Sequence, residues 1–99
     1  MKEGGFMYQI KEMPLDERPR ERFLLHGREA LSNHELIAIL LRTGTKAYSV
    51  VELARKIYYH YASIKALNQA TVESLTKLSG VGPTKAIQLL SALELGKRL

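Results

Sequence analysis

The 99-residue chain contains no cysteine and no tryptophan. Without cysteine there is neither a disulfide framework nor a thiolate metal site. Histidine is scarce as well. His26, His34 and His60 are scattered, with no i, i+4 pair and no carboxylate at ligand spacing. Solvated or half-buried imidazoles are therefore expected, and no metal site. Long apolar runs are missing too. The longest, Leu36 to Leu41, has six residues, against the ~20 that a membrane-spanning helix needs. The N-terminal MKEGGF lacks the apolar stretch of a secretory signal. A soluble, cytoplasmic protein with no membrane role is the expectation. Nucleophile elbow, P-loop and dinucleotide fingerprint are all absent. Asp16 and Glu17 are adjacent, but carboxylates at a helix start complement the helix dipole without any catalytic task. The chain is expected to be no enzyme and to carry no cofactor.

What is present is enough for one domain. Hydrophobic residues make up 45% of the chain, and a chain of this length can bury roughly two thirds of its unfolded surface. The net charge is +5, unevenly placed. Residues 1–30 hold six basic and six acidic side chains, whereas residues 31–99 hold nine and four, so the whole excess lies in the latter. That excess is compatible with a polyanionic partner, and equally with ordinary solubility.

Helix boundaries are explicit. LSNHEL places Ser32 three residues before Glu35, a capping box, with Leu31 and Leu36 at staple positions. This helix should run to Gly44 as a left-handed terminator. YSVVEL repeats the pattern with Ser49 and Glu52, and Val50, Leu53, Ala54 and Ile57 form one helical face. Pro19 suits a first helical position, and that helix should close near Gly27. Ser63 to Leu67 reads as a short turn of helix. Thr71 can cap another through Leu78, closed by Gly80. A last helix should run from Pro83 to about Lys97. Only Tyr8 to Lys11 alternates with period two. The predicted fold is all-α, a small bundle of five or six short helices, with residues 1–12 as a flexible segment and residues 13–99 as the domain.

The stretch LTKLSGVGPTKAIQLL, Leu75 to Leu90, carries the chemistry. Gly80 can end one helix with positive φ at little cost. Val81 can turn inward and pin the turn. Gly82 leaves the backbone open to close approach, and Pro83 gives up an N–H that a helix start would not bond. Ala86 is small where two helices would cross. Such a turn aims free N–H groups outward at a helix N-terminus, an anion site by geometry and dipole. Thr84 adds a hydroxyl, and Lys85 and Lys77 add charge. LSGVGPTKA resembles a helix-hairpin-helix motif, a sequence-independent binder of the DNA backbone. ILLRTGTKAYSVVELA also reads helix, glycine turn, helix. Thr43, Gly44, Thr45 and Lys46 would form this second tip, a degenerate partner with one glycine instead of two.

The resemblance extends along the chain. PLDERPRERFLLHGREALSNHELIAILLRTGT, SVVELARKI and LSGVGPTKAIQLLSALELGKR together resemble the N-terminal domain of the RadC family of bacterial proteins, from about Met13 to Arg98. That resemblance implies a following metal-binding domain of JAMM/MPN type, with a His-x-His and a downstream Ser and Asp. This sequence ends before such a domain would begin. It is therefore expected to be the N-terminal part of a RadC-like DNA repair protein.

Two other stretches have duller readings. Arg18, Arg20 and Arg22 alternate with Glu17 and Glu21, which predicts a salt-bridged solvent face more than a phosphate clamp. In IYYHY, Tyr58 and Tyr61 share a helix face and Tyr59 does not, so core packing outweighs base stacking. Two functions follow. The first is a non-sequence-specific DNA-binding module that holds duplex or branched DNA by backbone phosphate through Gly80, Val81, Gly82, Thr84, Lys85 and Lys77. The second is a protein-interaction or scaffolding domain that docks a partner or the family's metal-binding domain. An exposed apolar patch would favour the second.

Overall fold

The computed structural model describes residues 13, 14 and 17–99. The expectations for residues 1–12, and those for Tyr8 to Lys11 and Asp16, lie outside the described residues. Among the described residues six α-helices follow one another: α1 (Pro19–His26), α2 (Asn33–Leu41), α3 (Val50–Tyr61), α4 (Ile64–Leu67), α5 (Val72–Thr76) and α6 (Pro83–Lys97). A 310 turn, Arg28–Ala30, joins α1 to α2. The architecture is the expected all-α bundle.

Local chemistry explains most starts. Ser32 accepts from the Glu35 N–H while the Glu35 carboxylate accepts from the Ser32 N–H, the full capping box. Ser49 accepts from the Glu52 N–H at 3.1 Å, which is one half of the same device. Ser63 caps α4, and Thr71 with Ser74 forms a second full box on α5. Helices α1 and α6 instead begin on Pro19 and Pro83.

The core is built around α3. Val50, Leu53, Ala54 and Ile57, the predicted face, are all buried, together with Val51. Ile37, Ala38 and Leu41 of α2 meet them, and α2 packs most extensively on α3. Leu67, Leu75, Val81, Ala86 and Leu89 close the other side. Tyr58 and Tyr61 lean on the core, whereas Tyr59 is exposed. The Tyr58 hydroxyl accepts from Asn33 Nδ2, and that of Tyr61 pairs with Ser74 Oγ.

Helix α1 is peripheral. Pro19 is its one buried residue, and Phe23, Leu24 and Leu25 are exposed. Arg22 ties it down by pairing with Glu35 at 2.7 Å and donating to the Ala30 carbonyl. For Arg22 this replaces the expected pairing with Glu17 or Glu21. The partner comes from α2, because the capping box already fixes the Glu35 carboxylate beside α1. Arg18 donates to the Met13 carbonyl.

Glu35 therefore serves a cap and an ion pair at once. Burial alone would raise its pKa. The Ser32 N–H, the Ser32 hydroxyl and the Arg22 guanidinium outweigh burial and hold the carboxyl below its ordinary value. Beside it, burial and then Arg55 lower the pKa of His34, with Glu35 opposing them. Both folded values lie below the unfolded ones, so both contributions are present at high pH and are lost on acidification. Loss should begin as pH falls below 6.5 through His34 and continue below 4.5 through Glu35. Melting temperature against pH checks this. Glu35→Gln should lower the neutral-pH stability by about 1 kcal/mol and flatten the acid limb below pH 4.5.

Candidate functional site

Helix α5 ends at Thr76 and the chain turns through Lys77 to Gly82 before α6 begins. The Val81 N–H donates to the Leu78 carbonyl at 3.1 Å and closes the turn. Gly80 has φ +92°, the left-handed conformation expected of it. A Cβ there would lie 3.1 Å from Leu53 Cδ1 and 3.5 Å from Thr45 and Tyr48. Val81 is buried and anchors the turn, and Ala86 is fully buried beneath it. Gly82 is extended, with φ −93° and ψ 178°, and a Cβ on it would meet nothing within 4 Å.

The start of α6 is open. No side chain caps it. Among the described residues, the N–H groups of Gly82, Thr84 and Lys85 have no hydrogen-bond partner, and the first of the ladder is Ala86 to the Gly82 carbonyl. Thr84 is exposed. Helix α1 is also uncapped by a side chain, but Glu17 and Glu21 flank its start. The first turn of α6 has no acidic residue.

The second turn lies against the first. Helix α2 ends at Leu41, and the residue with positive φ is Arg42 (φ +72°, ψ −49°) rather than Gly44, in a tight turn closed by the Thr43 N–H donating to the Leu41 carbonyl at 2.8 Å. Gly44 is needed for another reason. A Cβ there would collide with the Tyr48 carbonyl and stand 2.7 Å from Ser49 C and Val50 N. The backbone doubles back over Gly44, held by the Thr45 N–H donating to the Tyr48 carbonyl at 2.8 Å. The Thr45 hydroxyl accepts from the Ala47 and Tyr48 N–H groups. With Thr45 occupied and Ser49 capping α3, Lys46 is the exposed cation of this tip.

Two lysines tie the turns together. Lys85 is half-buried. Its ammonium donates to Thr43 Oγ1 at 3.0 Å and reaches the Leu41 carbonyl at 3.5 Å. Helix α2 has no basic residue in its own last turn, so Lys85 supplies the charge that the C-terminal dipole favours. Lys56 donates to the Tyr48 hydroxyl at 3.1 Å, stacks 4.5 Å from that ring's centre and reaches the Ser79 carbonyl at 3.5 Å. Lys85 thus has an internal task beside any contact with a phosphate. Lys85→Ala should lower stability by about 1 kcal/mol, a fall in melting temperature of roughly 4 to 8 °C. An unchanged melt would show that the cap contributes nothing.

The joined loops, residues 42–48 and 77–85, contain Arg42, Lys46, Lys77 and Lys85 and no carboxylate. Arg42, Lys46 and Lys77 are exposed. All the residues picked from the sequence therefore fall on one pair of adjoining turns. Arg42 and Lys56 were missed there. Arg42 could have been found as the basic residue beside the glycine turn, whereas Lys56 joins the site only across the fold.

The family model described as "UPF0758 N-terminal" matches residues 10–87. The chain belongs to the UPF0758 family. This is the RadC-like family that the sequence resembles. The UPF0758 protein of Geobacillus thermodenitrificans (strain NG80-2) is 55% identical over 92 residues, covering 93% of this chain and 41% of that protein. UPF0758 protein YsxA of Bacillus subtilis (strain 168) is 48% identical over 91 residues, covering 92% and 39%. The chain thus spans about two fifths of the length of these UPF0758 relatives. No solved structure matches it. Among the described residues, no helix is long and apolar enough to cross a membrane.

Proposed function

We propose that this UPF0758 domain is a non-sequence-specific DNA-binding module, with α5, its glycine turn and α6 acting as a helix-hairpin-helix. The observation that carries this reading is the start of α6. Three N–H groups stand open there, on a pair of joined loops that carries exposed Arg42, Lys46 and Lys77 and no carboxylate. A backbone phosphate oxygen matches that set in charge and in hydrogen bonding. Such contacts hold a protein on DNA without reading bases. The role is one of binding in the cytoplasm, with no catalytic step, metal or cofactor assigned to the domain. The link to DNA repair comes with the RadC-like family.

Titration of labelled duplex, branched and single-stranded DNA at two salt concentrations tests the reading. Two or three phosphate contacts imply a log-affinity against log-salt slope of roughly −2 to −3 on duplex. Replacing Lys46 and Lys77 together by Ala should bring that slope toward about −1. A parent without salt dependence, or a double variant that binds like the parent, would contradict it.

A second reading, a docking domain, is favoured by exposed apolar side chains away from the turns. They are Phe23, Leu24 and Leu25 on α1, and Ile87 and Leu95 on α6.

A further inference from the structure

Helix α6 has only a narrow polar stripe along its middle, Gln88, Ser91 and Glu94. Between Ala86 and Leu95, seven apolar side chains are spread around the axis. Apolar side chains over so much of a helix circumference are normally covered. Here Ala86 and Leu89 enter the core, whereas Ile87 is 53% and Leu95 69% exposed. With Val72 of α5 and half-buried Leu90, they form the floor of an open groove of about 430 Å³. Glu94 and Arg98, paired at 3.0 Å, form its rim. The groove runs along α6 away from the phosphate-facing turn, starting at Ile87, about 6 Å along the axis from Pro83. At 1.5 Å per residue, Leu95 lies about 18 Å along α6 from Pro83.

We propose that this groove seats an apolar face of the segment that follows this domain in the longer UPF0758 relatives. Two facts favour that occupant. The matched region is the N-terminal part of those proteins and about two fifths of their length, so further chain follows α6 in them. A segment tethered to α6 also works at an effective concentration in the millimolar range, so a small groove suffices to hold it. A second copy of this domain has no such advantage. Four partly exposed floor residues fall well short of the ~800 Å² per partner of a stable interface. The inference gives the docking reading one face and one occupant, and it does not depend on the phosphate reading.

The test compares methyl NMR spectra of the 99-residue chain with those of the same chain extended by the segment that follows this region in the Geobacillus thermodenitrificans relative. Val72 is the main reporter, because it lies far in sequence from the junction. Its methyl signals and those of Ile87 should shift in the extended protein and show contacts to the appended segment. Ile87→Glu, an exposed change that leaves the core intact, should return the Val72 signals to their positions in the short chain. Spectra that superimpose with and without the extension would overturn the proposal. So would shifts that survive Ile87→Glu. Concentration-dependent shifts in the short chain alone would give the groove to a second copy, and overturn it equally. The salt slope on DNA should be the same in the short and the extended chain, which separates this test from that of the phosphate reading.

Discussion

Gly44→Ala should destabilise the domain by about 3 kcal/mol or more. The added methyl would collide with the Tyr48 carbonyl and press on Ser49 C and Val50 N. These are backbone atoms at the start of α3, so no side chain can rotate to make room. Relief requires the loop to open. That would shift α3 against α2, the most extensive helix contact in the fold. It would also move Thr43 away from Lys85 and break the tie between the two turns. For a domain of this size the melting temperature should fall by roughly 12 to 24 °C. Circular dichroism melting checks it. A fall of only a few degrees would mean that the loop relaxes without disturbing the helices.

Gly82→Val should have the opposite profile, losing binding with little change in stability. Gly82 is extended, a conformation that any residue adopts, and its Cβ position faces open space. The cost should stay below about 1 kcal/mol, mostly a weaker N-cap preference. The valine side chain would nevertheless stand over the open N–H groups of Thr84 and Lys85. A phosphate oxygen must come within about 3 Å of those nitrogens to bond them. Duplex affinity at low salt should therefore fall about tenfold or more, the loss of one or two charge-assisted hydrogen bonds. Parallel melting and DNA titration of this variant check both halves. A variant that binds like the parent would place the contact elsewhere, and one that unfolds would contradict the open geometry of the turn.

These glycines also show how far the sequence is legible. Starts of helices depend on neighbours within four residues, so Pro19, Ser32, Ser49, Thr71 and Pro83 mark them correctly. The core face of α3 follows from its spacing. The role of a glycine is less local. Positive φ and close approach both select glycine, and the residue letter does not distinguish them. Gly80 has the positive φ expected of it, whereas at the end of α2 the positive φ falls to Arg42. What Gly44 avoids is backbone four to six residues further on, visible only once the loop is folded. Lys85 reaches Thr43, 42 residues away, and Arg22 reaches Glu35, 13 residues away. Neither pairing has a local signal. The candidate site was therefore legible as a set of residues, while the internal task of Lys85 was not.

The central claim is that the open N–H groups of α6 hold phosphate, and 15N NMR can watch those groups directly. Titration with a short duplex of arbitrary sequence at low salt should move the amide signals of Gly82, Thr84 and Lys85 most. Those shifts should reverse as salt is added, and a duplex of different sequence should move the same amides. If these signals stay fixed while others move, or if nothing moves, the α6 start is not a phosphate site and the account is wrong.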